Sequence, residues 1–263
     1  MANYATEANA SGLKPRVRRW RDLLREPVAS ICLLFLVFQL FCVGAALLFP
    51  DAFRYLTSSN VALLQRAIPV IGIVALGIGL LMITGEYDLS VGSVYTLAGY
   101  SMALLYAAGA SAVVALLVTL VIGIVIGTIN GLITVKTGIP SFIATMGSML
   151  LVRGLVRWLS ESGSVSFRPG GAFAHIFTGS IFGVEAAFIW FVLLACVAAL
   201  LLHRSKLGNQ MFLVGGSERT ARAVGINTHR VKVIAFALSG LAARVRRPVP
   251  SGSPSCARAD DPC

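Results

Sequence analysis

The residues with the most chemical content in this 263-residue chain are the paired acids Glu86 and Asp88. They stand in Thr84-Gly85-Glu86-Tyr87-Asp88-Leu89-Ser90-Val91-Gly92-Ser93, between two long apolar runs. Charged groups at membrane depth are costly, so they face a cavity, a partner or the aqueous boundary. Gly85 and Gly92 permit a bend or a close approach. Asp88 has the chemistry to cap a helix restarting near Leu89, its carboxylate accepting the amide hydrogens of Ser90 or Val91. The stretch reads as a helix break with a capped restart. Other chemistry is not visible. No G-x-x-x-x-G-K-[ST], H-E-x-x-H or G-x-S-x-G pattern occurs. His175, His203 and His229 share no ligand spacing, and no pair among Cys32, Cys42, Cys196, Cys256 and Cys263 has any either. No catalytic residue, metal site or cofactor is expected, and the chain does not read as an enzyme.

The elements that must position the break are apolar. Hydrophobic residues make up 57% of the chain and charged ones 13%, which excludes disorder and an ordinary soluble domain. Several runs reach the roughly 20 apolar residues that a bilayer requires. The fold class expected is all-α, a polytopic transmembrane helical bundle. Spans are expected at residues 28–49, 67–84, 89–108, 112–135, 141–159 and 181–202, with an interfacial helix at 61–65 set off by Arg66 and with Pro69 in the first turn of the second span. A seventh apolar run, 231–243, is about 13 residues long and too short to cross. Gly123 and Gly127 have the small-xxx-small spacing that favours helix contact. Arg153 and Arg157 share a helix face, either snorkelling to the outer interface or lining a vestibule.

The net charge of +11 would suggest nucleic acid in a soluble protein. Here the bases flank the spans, so orientation in a membrane explains them better and no nucleic acid is expected. Residues 1–27 form a basic tail, read as cytoplasmic and lying on anionic lipid. A second basic cluster lies within 203–230, and counting spans puts it on the same side. Residues 161–180 are expected to be an external loop.

Three segments together resemble one family, the membrane-spanning permease subunits of bacterial ribose-type sugar ABC transporters. The first is Gly85 to Ser93, with Glu86 where a second glycine is common. The second is Asn130-Gly131-Leu132, then Gly138-Ile139-Pro140-Ser141-Phe142-Ile143-Ala144-Thr145-Met146-Gly147 and Arg153-Gly154. The third is Gly208, Gly215-Gly216-Ser217-Glu218, Ala221-Arg222 and Gly225-Ile226-Asn227. The resemblance implies an ABC importer permease fold over 28–243 that translocates a monosaccharide of the ribose or xylose kind across the bacterial inner membrane. It implies an ABC ATPase subunit, a periplasmic sugar-binding protein and a second permease as partners.

By that resemblance Glu86, Asp88, Ser90, Asn130, Ser141 and Thr145 line the substrate pathway, where hydroxyls and amides suit a neutral sugar. Gly215, Gly216, Glu218, Arg219, Ala221, Arg222 and Gly225 belong to a coupling loop that meets the ATPase. About two helical turns are expected at 218–224, with Gly215-Gly216 and Gly225 as breakers and with Arg219 and Arg222 facing a partner. The tail 244–263 lacks apolar periodicity and reads like a GC-rich gene translated out of frame, so a truncated or frameshifted permease is expected. The competing readings are an ATP-independent secondary transporter and a non-transporting truncated permease.

Overall fold

The computed structural model describes residues 27–160, 173, 176, 177, 179–181 and 183–242. The expectations for residues 1–26, for most of the loop 161–180 and for the tail 244–263 lie outside the described residues. The elements are α1 (Pro27–Leu48), α2 (Ser58–Ile83), α3 (Val91–Ala107), α4 (Ala112–Thr137), α5 (Ser141–Ser160), β1 (Ser180–Ile181), β2 (Val184–Glu185), α6 (Ala186–Arg204), α7 (Lys206–Gly216), α8 (Glu218–Ala223) and α9 (Thr228–Ala242). Among the described residues five helices, α1, α2, α4, α5 and α6, are long and apolar enough to cross a membrane. The 17 residues of α3 and the 15 of α9 are shorter.

The apolar runs set these helices, and two expectations about their ends are corrected. Arg66 does not divide an interfacial helix from a span. One helix runs from Ser58 to Ile83 through both Arg66 and Pro69, so Pro69 is interior and not in a first turn. The helix continues because the charge is met: Arg66 Nε and Nη2 both lie 2.8 Å from Glu185 Oε1. Gln65 Oε1 also accepts the Glu185 amide at 2.8 Å. The sixth span begins at Ala186 and not at 181, because a short hairpin precedes it. Ser180 pairs with Glu185 and Ile181 with Val184, antiparallel, and Gly183 takes the positive φ of 78° that the turn requires. Among the described residues this hairpin is a small addition to the helices.

The chain divides into two units, 1–61 and 62–263. In the first, the Tyr55 hydroxyl donates to Gln39 Oε1 at 2.8 Å. Ile31, Leu34, Phe41 and Leu48 of α1 are exposed, a surface suited to lipid. In the second unit α9 packs most extensively on α4, and α3 on α4 and α5. The α4–α9 contact is backbone against backbone. A Cβ at Gly127 would overlap the Phe236 carbonyl, and one at Gly240 would overlap the Gly123 carbonyl. Without lipid-to-water transfer to drive association, this close approach is what holds such helices together. At one end of α9 lies an apolar cluster of Leu81, Met211, Val214, Ala221, Val231, Ala235 and Phe236.

The glycine contact makes a test. Gly127→Leu should lower thermal stability in detergent by about 1–3 kcal/mol through overpacking. Gly147→Ala, whose Cβ meets nothing within 4 Å, should leave stability unchanged or raise it by up to about 1 kcal/mol. Equal melting of the two variants would contradict the packing.

Candidate functional site

The break between α2 and α3 is where the backbone leaves its helix within apolar surroundings, so its polar groups need other partners. Gly85 turns the chain with φ of 83°. Asp88 Oδ1 accepts the Ser90 amide at 2.8 Å and the Ser90 hydroxyl at 2.6 Å. The Asp88 carboxylate therefore takes an amide hydrogen as expected. The helix itself starts at Val91 and not near Leu89, with Ser90 in the N-cap position. Asn130 Nδ2 of α4 donates to Ser90 Oγ at 2.9 Å. From α5, Ser141 Oγ accepts the Tyr87 amide at 3.1 Å and Thr145 Oγ1 the Leu89 amide at 3.2 Å. Ser90, Asn130, Thr145, Ser141 and Asp88 are all buried.

Glu86 is held differently. Lys232 Nζ of α9 lies 2.7 Å from Glu86 Oε1 and 3.0 Å from Glu218 Oε2. Glu218 Oε1 also accepts from Arg222 Nη2 at 2.5 Å and from the Thr228 hydroxyl at 3.2 Å. Thr228 Oγ1 in turn accepts from Arg222 Nε at 3.1 Å, and Arg222 Nη2 lies 3.3 Å from His229 Nε2. Glu86, Glu218, Arg222, His229 and Lys232 border a recess of about 310 Å³ whose other wall is the α4–α5 turn, residues 134, 135 and 138–141. Lys232, then Arg222 and Thr228, hold the Glu218 carboxyl at about 2 against the ordinary 4.5, although partial burial opposes this.

Of the six residues assigned to a pathway from sequence, the structure brings five into one buried hydrogen-bonded group. It places the sixth, Glu86, in the charged recess, which Ser141 also borders. Of the seven assigned to coupling, Glu218, Arg219, Ala221 and Arg222 lie in α8. Gly215 and Gly216 do not break a helix before α8. They are the last residues of α7, and the stop is Ser217, whose hydroxyl accepts the Thr220 amide. The role of Gly215 is contact, since a Cβ there would overlap the Ile83 carbonyl. Gly225 does end the segment, with φ of 82°. Ala221 is buried in the apolar cluster. Arg222 is turned toward Glu218, Thr228 and His229. Arg153 and Arg157 are both exposed. Sequence reasoning missed Lys232 and Thr228 as site residues. The available signal for Lys232 was a single charge in the apolar run of α9.

Two measurements follow from this geometry. Thr145→Val preserves shape but leaves the part-buried Leu89 amide without its partner, so stability should fall by about 0.5–1.5 kcal/mol, whereas Thr145→Ser should retain most of it. Because folding lowers the carboxyl of Glu218, its contribution is fully present above pH 4.5 and is lost as pH falls toward about 2. The melting-temperature gap between wild type and Glu218→Gln should therefore be constant above pH 5 and shrink from there to about pH 2.5. A gap that widens on acidification would refute the assignment.

The family model described as branched-chain amino acid transport system, permease component, matches residues 60–245. The ribose import permease protein RbsC of Bacillus subtilis strain 168 is 34% identical over 188 residues, which is 71% of this chain and 58% of that protein. The L-arabinose transport system permease protein AraH of Escherichia coli K12 is 34% identical over 211 residues, 80% of this chain and 62% of that protein. Escherichia coli K12 RbsC is 30% identical over 242 residues, 90% of this chain and 72% of that protein. The chain thus spans about three fifths of the length of the first two relatives. No solved structure matches it. With its several spans, its break and its matched segment, the chain is a multi-pass membrane protein that belongs to the family of branched-chain amino acid transport system permease components.

Proposed function

We infer that this chain is the permease subunit of an ATP-driven ABC importer that moves a monosaccharide of the ribose or arabinose kind across the bacterial inner membrane. The observation that carries this reading is the segment from Lys206 to Ala223. It is two short helices seated on the apolar cluster by Met211, Val214 and Ala221, while Phe212, Leu213 and Val224 remain exposed. Arg219 is exposed beside them. A rigid base with an apolar and basic outer face suits a partner subunit better than open water. ATP hydrolysis belongs to that partner, a separate ABC ATPase, because the chain carries no phosphate-binding loop of its own. A periplasmic sugar-binding protein and a second permease, identical or paralogous, complete the assembly.

Span parity supports the orientation. Counting the six spans expected from the sequence, with 89–108 as the third although α3 is only 17 residues long, two crossings separate the N-terminus from the 84–90 break, two more separate the break from the turn at Gly138, and two more reach Ser205. Gly215 lies against Ile83, and the recess joins the break, the turn and α8, as that parity requires. Lys136, Arg204, Lys206, Arg219, Arg222 and Arg230 all fall on this side. The positive-inside bias makes it the cytoplasm, together with the N-terminus. The polar groups of Asp88, Ser90, Asn130, Ser141 and Thr145 border the sugar route, where a broken helix serves transporters well.

The test has two readouts. A cysteine replacing Arg219, in a background without other cysteines, should react with a membrane-impermeant maleimide in inverted vesicles and not in intact cells. The chain co-expressed with a ribose-type ABC ATPase should co-purify with it, and Val224→Glu should abolish this. Labelling from outside would refute the orientation. Sugar uptake with no ATPase bound would favour an ATP-independent carrier.

A further inference from the structure

Lys232 is shared between two carboxylates that come from distant parts of the chain. Glu86 lies in the break between α2 and α3, and Glu218 opens α8. The side chains of Lys232 and Glu86 are only 14% and 13% exposed, that of Glu218 36%. A nearly buried ion pair is a poor source of stability, because desolvation offsets much of the attraction and an apolar residue would serve as well. What such a pair does well is fix one segment at a defined distance from another.

The charges are arranged unequally. Glu86, Glu218, Lys232 and Arg222 sum to zero. Parting Lys232 from Glu218 leaves two neutral pairs, Glu86 with Lys232 and Glu218 with Arg222. Parting Lys232 from Glu86 strands a carboxylate at 13% exposure. The bond to Glu86 is therefore the expensive one to break, and the bond to Glu218 is the separable one. A second contact joins the same region. Gly215 of α7 abuts the Ile83 carbonyl at the end of α2. A steric contact transmits only compression, whereas an ion pair also transmits tension, so the two together pass displacement in both directions. Beyond Glu86 the link continues through the Tyr87 and Leu89 amides to Ser141 and Thr145 in the first turns of α5.

We propose that Glu86 and Lys232 are positioning residues that fasten the helix break to the α8–α9 segment, so that a displacement of that segment moves the break and the start of α5 with it. This deepens the reading of α8 as the ATPase-facing segment and rests on that reading for its purpose. Glu86 then acts on the protein's own motion and not by touching sugar.

The test uses the full chain in nanodiscs and hydrogen–deuterium exchange of the Tyr87 and Leu89 amides. Glu86→Gln and Lys232→Met should each speed their exchange at least about fivefold, while Lys232→Arg stays within about twofold of wild type. Glu218→Gln cuts the separable bond, so it should loosen α8 and leave Tyr87 and Leu89 within about twofold. The double variant Glu86→Gln with Lys232→Met should exceed neither single one, since both remove the same bond. Wild-type exchange in Glu86→Gln would overturn the proposal. So would a rise spread evenly over α4 and α9, which would mean general loosening. A second arm measures transport per ATP in the complex with its ATPase. Lys232→Met should lower it about tenfold at unchanged complex yield, and Lys232→Arg should restore it. Unchanged transport per ATP would also overturn the proposal. If wild type binds no ATPase, the functional reading falls, and the exchange experiment still decides whether the fastening exists.

Discussion

A helix interrupted among other helices must find new partners for every backbone group it releases, and this requirement organises the second unit. Between Ile83 and Val91 the amides of Tyr87, Leu89 and Ser90 turn from the helical ladder to side chains. The side chains that answer come from three directions: Asp88 and Ser90 from the break itself, Asn130 from α4, and Ser141 and Thr145 from α5. Asp88, Ser141 and Thr145 each accept a backbone amide of the break, and Asn130 braces the Ser90 hydroxyl. That is why small hydroxyls and one amide recur there in place of larger polar groups, and why α3 and α5 are drawn to the same end of the unit.

The contact between α4 and α9 complements this. Gly127 and Gly240 bring carbonyl against helix with no side chain between. Such a contact is stiff, because nothing in it has rotamers to adjust. Below it the apolar cluster around Met211, Ala221 and Phe236 binds α7 and α8 to the same pair of helices. The segment α7–α8 is thereby continuous, through well-packed atoms, with helices α4 and α9. Stiffness on one side and hydrogen-bonded irregularity on the other is a division suited to a protein that alternates between two arrangements.

Sequence and structure agree wherever one local rule suffices. The ends of α1 and α5 fall within a residue of where apolar run length, Pro140 and the following polar residues put them. The positive φ at Gly85 and Gly225 is legible from residue type alone. The largest disagreements involve a partner far away in the chain. Arg66 looked like an interruption until Glu185, 119 residues later, met its charge. Glu86 looked like a solute contact because nothing near it announces Lys232, 146 positions on. Glu218 and Arg222 stand at i, i+4, yet the sequence turns Arg222 toward a partner, and neither this pair nor the Thr228 hydroxyl is foreseen from it. The hairpin at Ser180 was hidden inside what read as the start of an apolar span. Polar character at the break was evident from composition; which atom bonds to which was not, because that depends on how three helices come together.

The ion pair between Arg66 and Glu185 also bears on how the protein is made. At a ribosomal rate of about 5–20 residues per second, the 119 residues that separate them take on the order of 6–24 seconds to emerge. During that interval the guanidinium lacks the carboxylate it meets in the finished fold, so the nascent α2 has reason to linger at the edge of the bilayer or beside the insertion machinery. Arrival of the hairpin would then seat it. Biogenesis, and not only the finished fold, would run on a timetable written by one long-range bond.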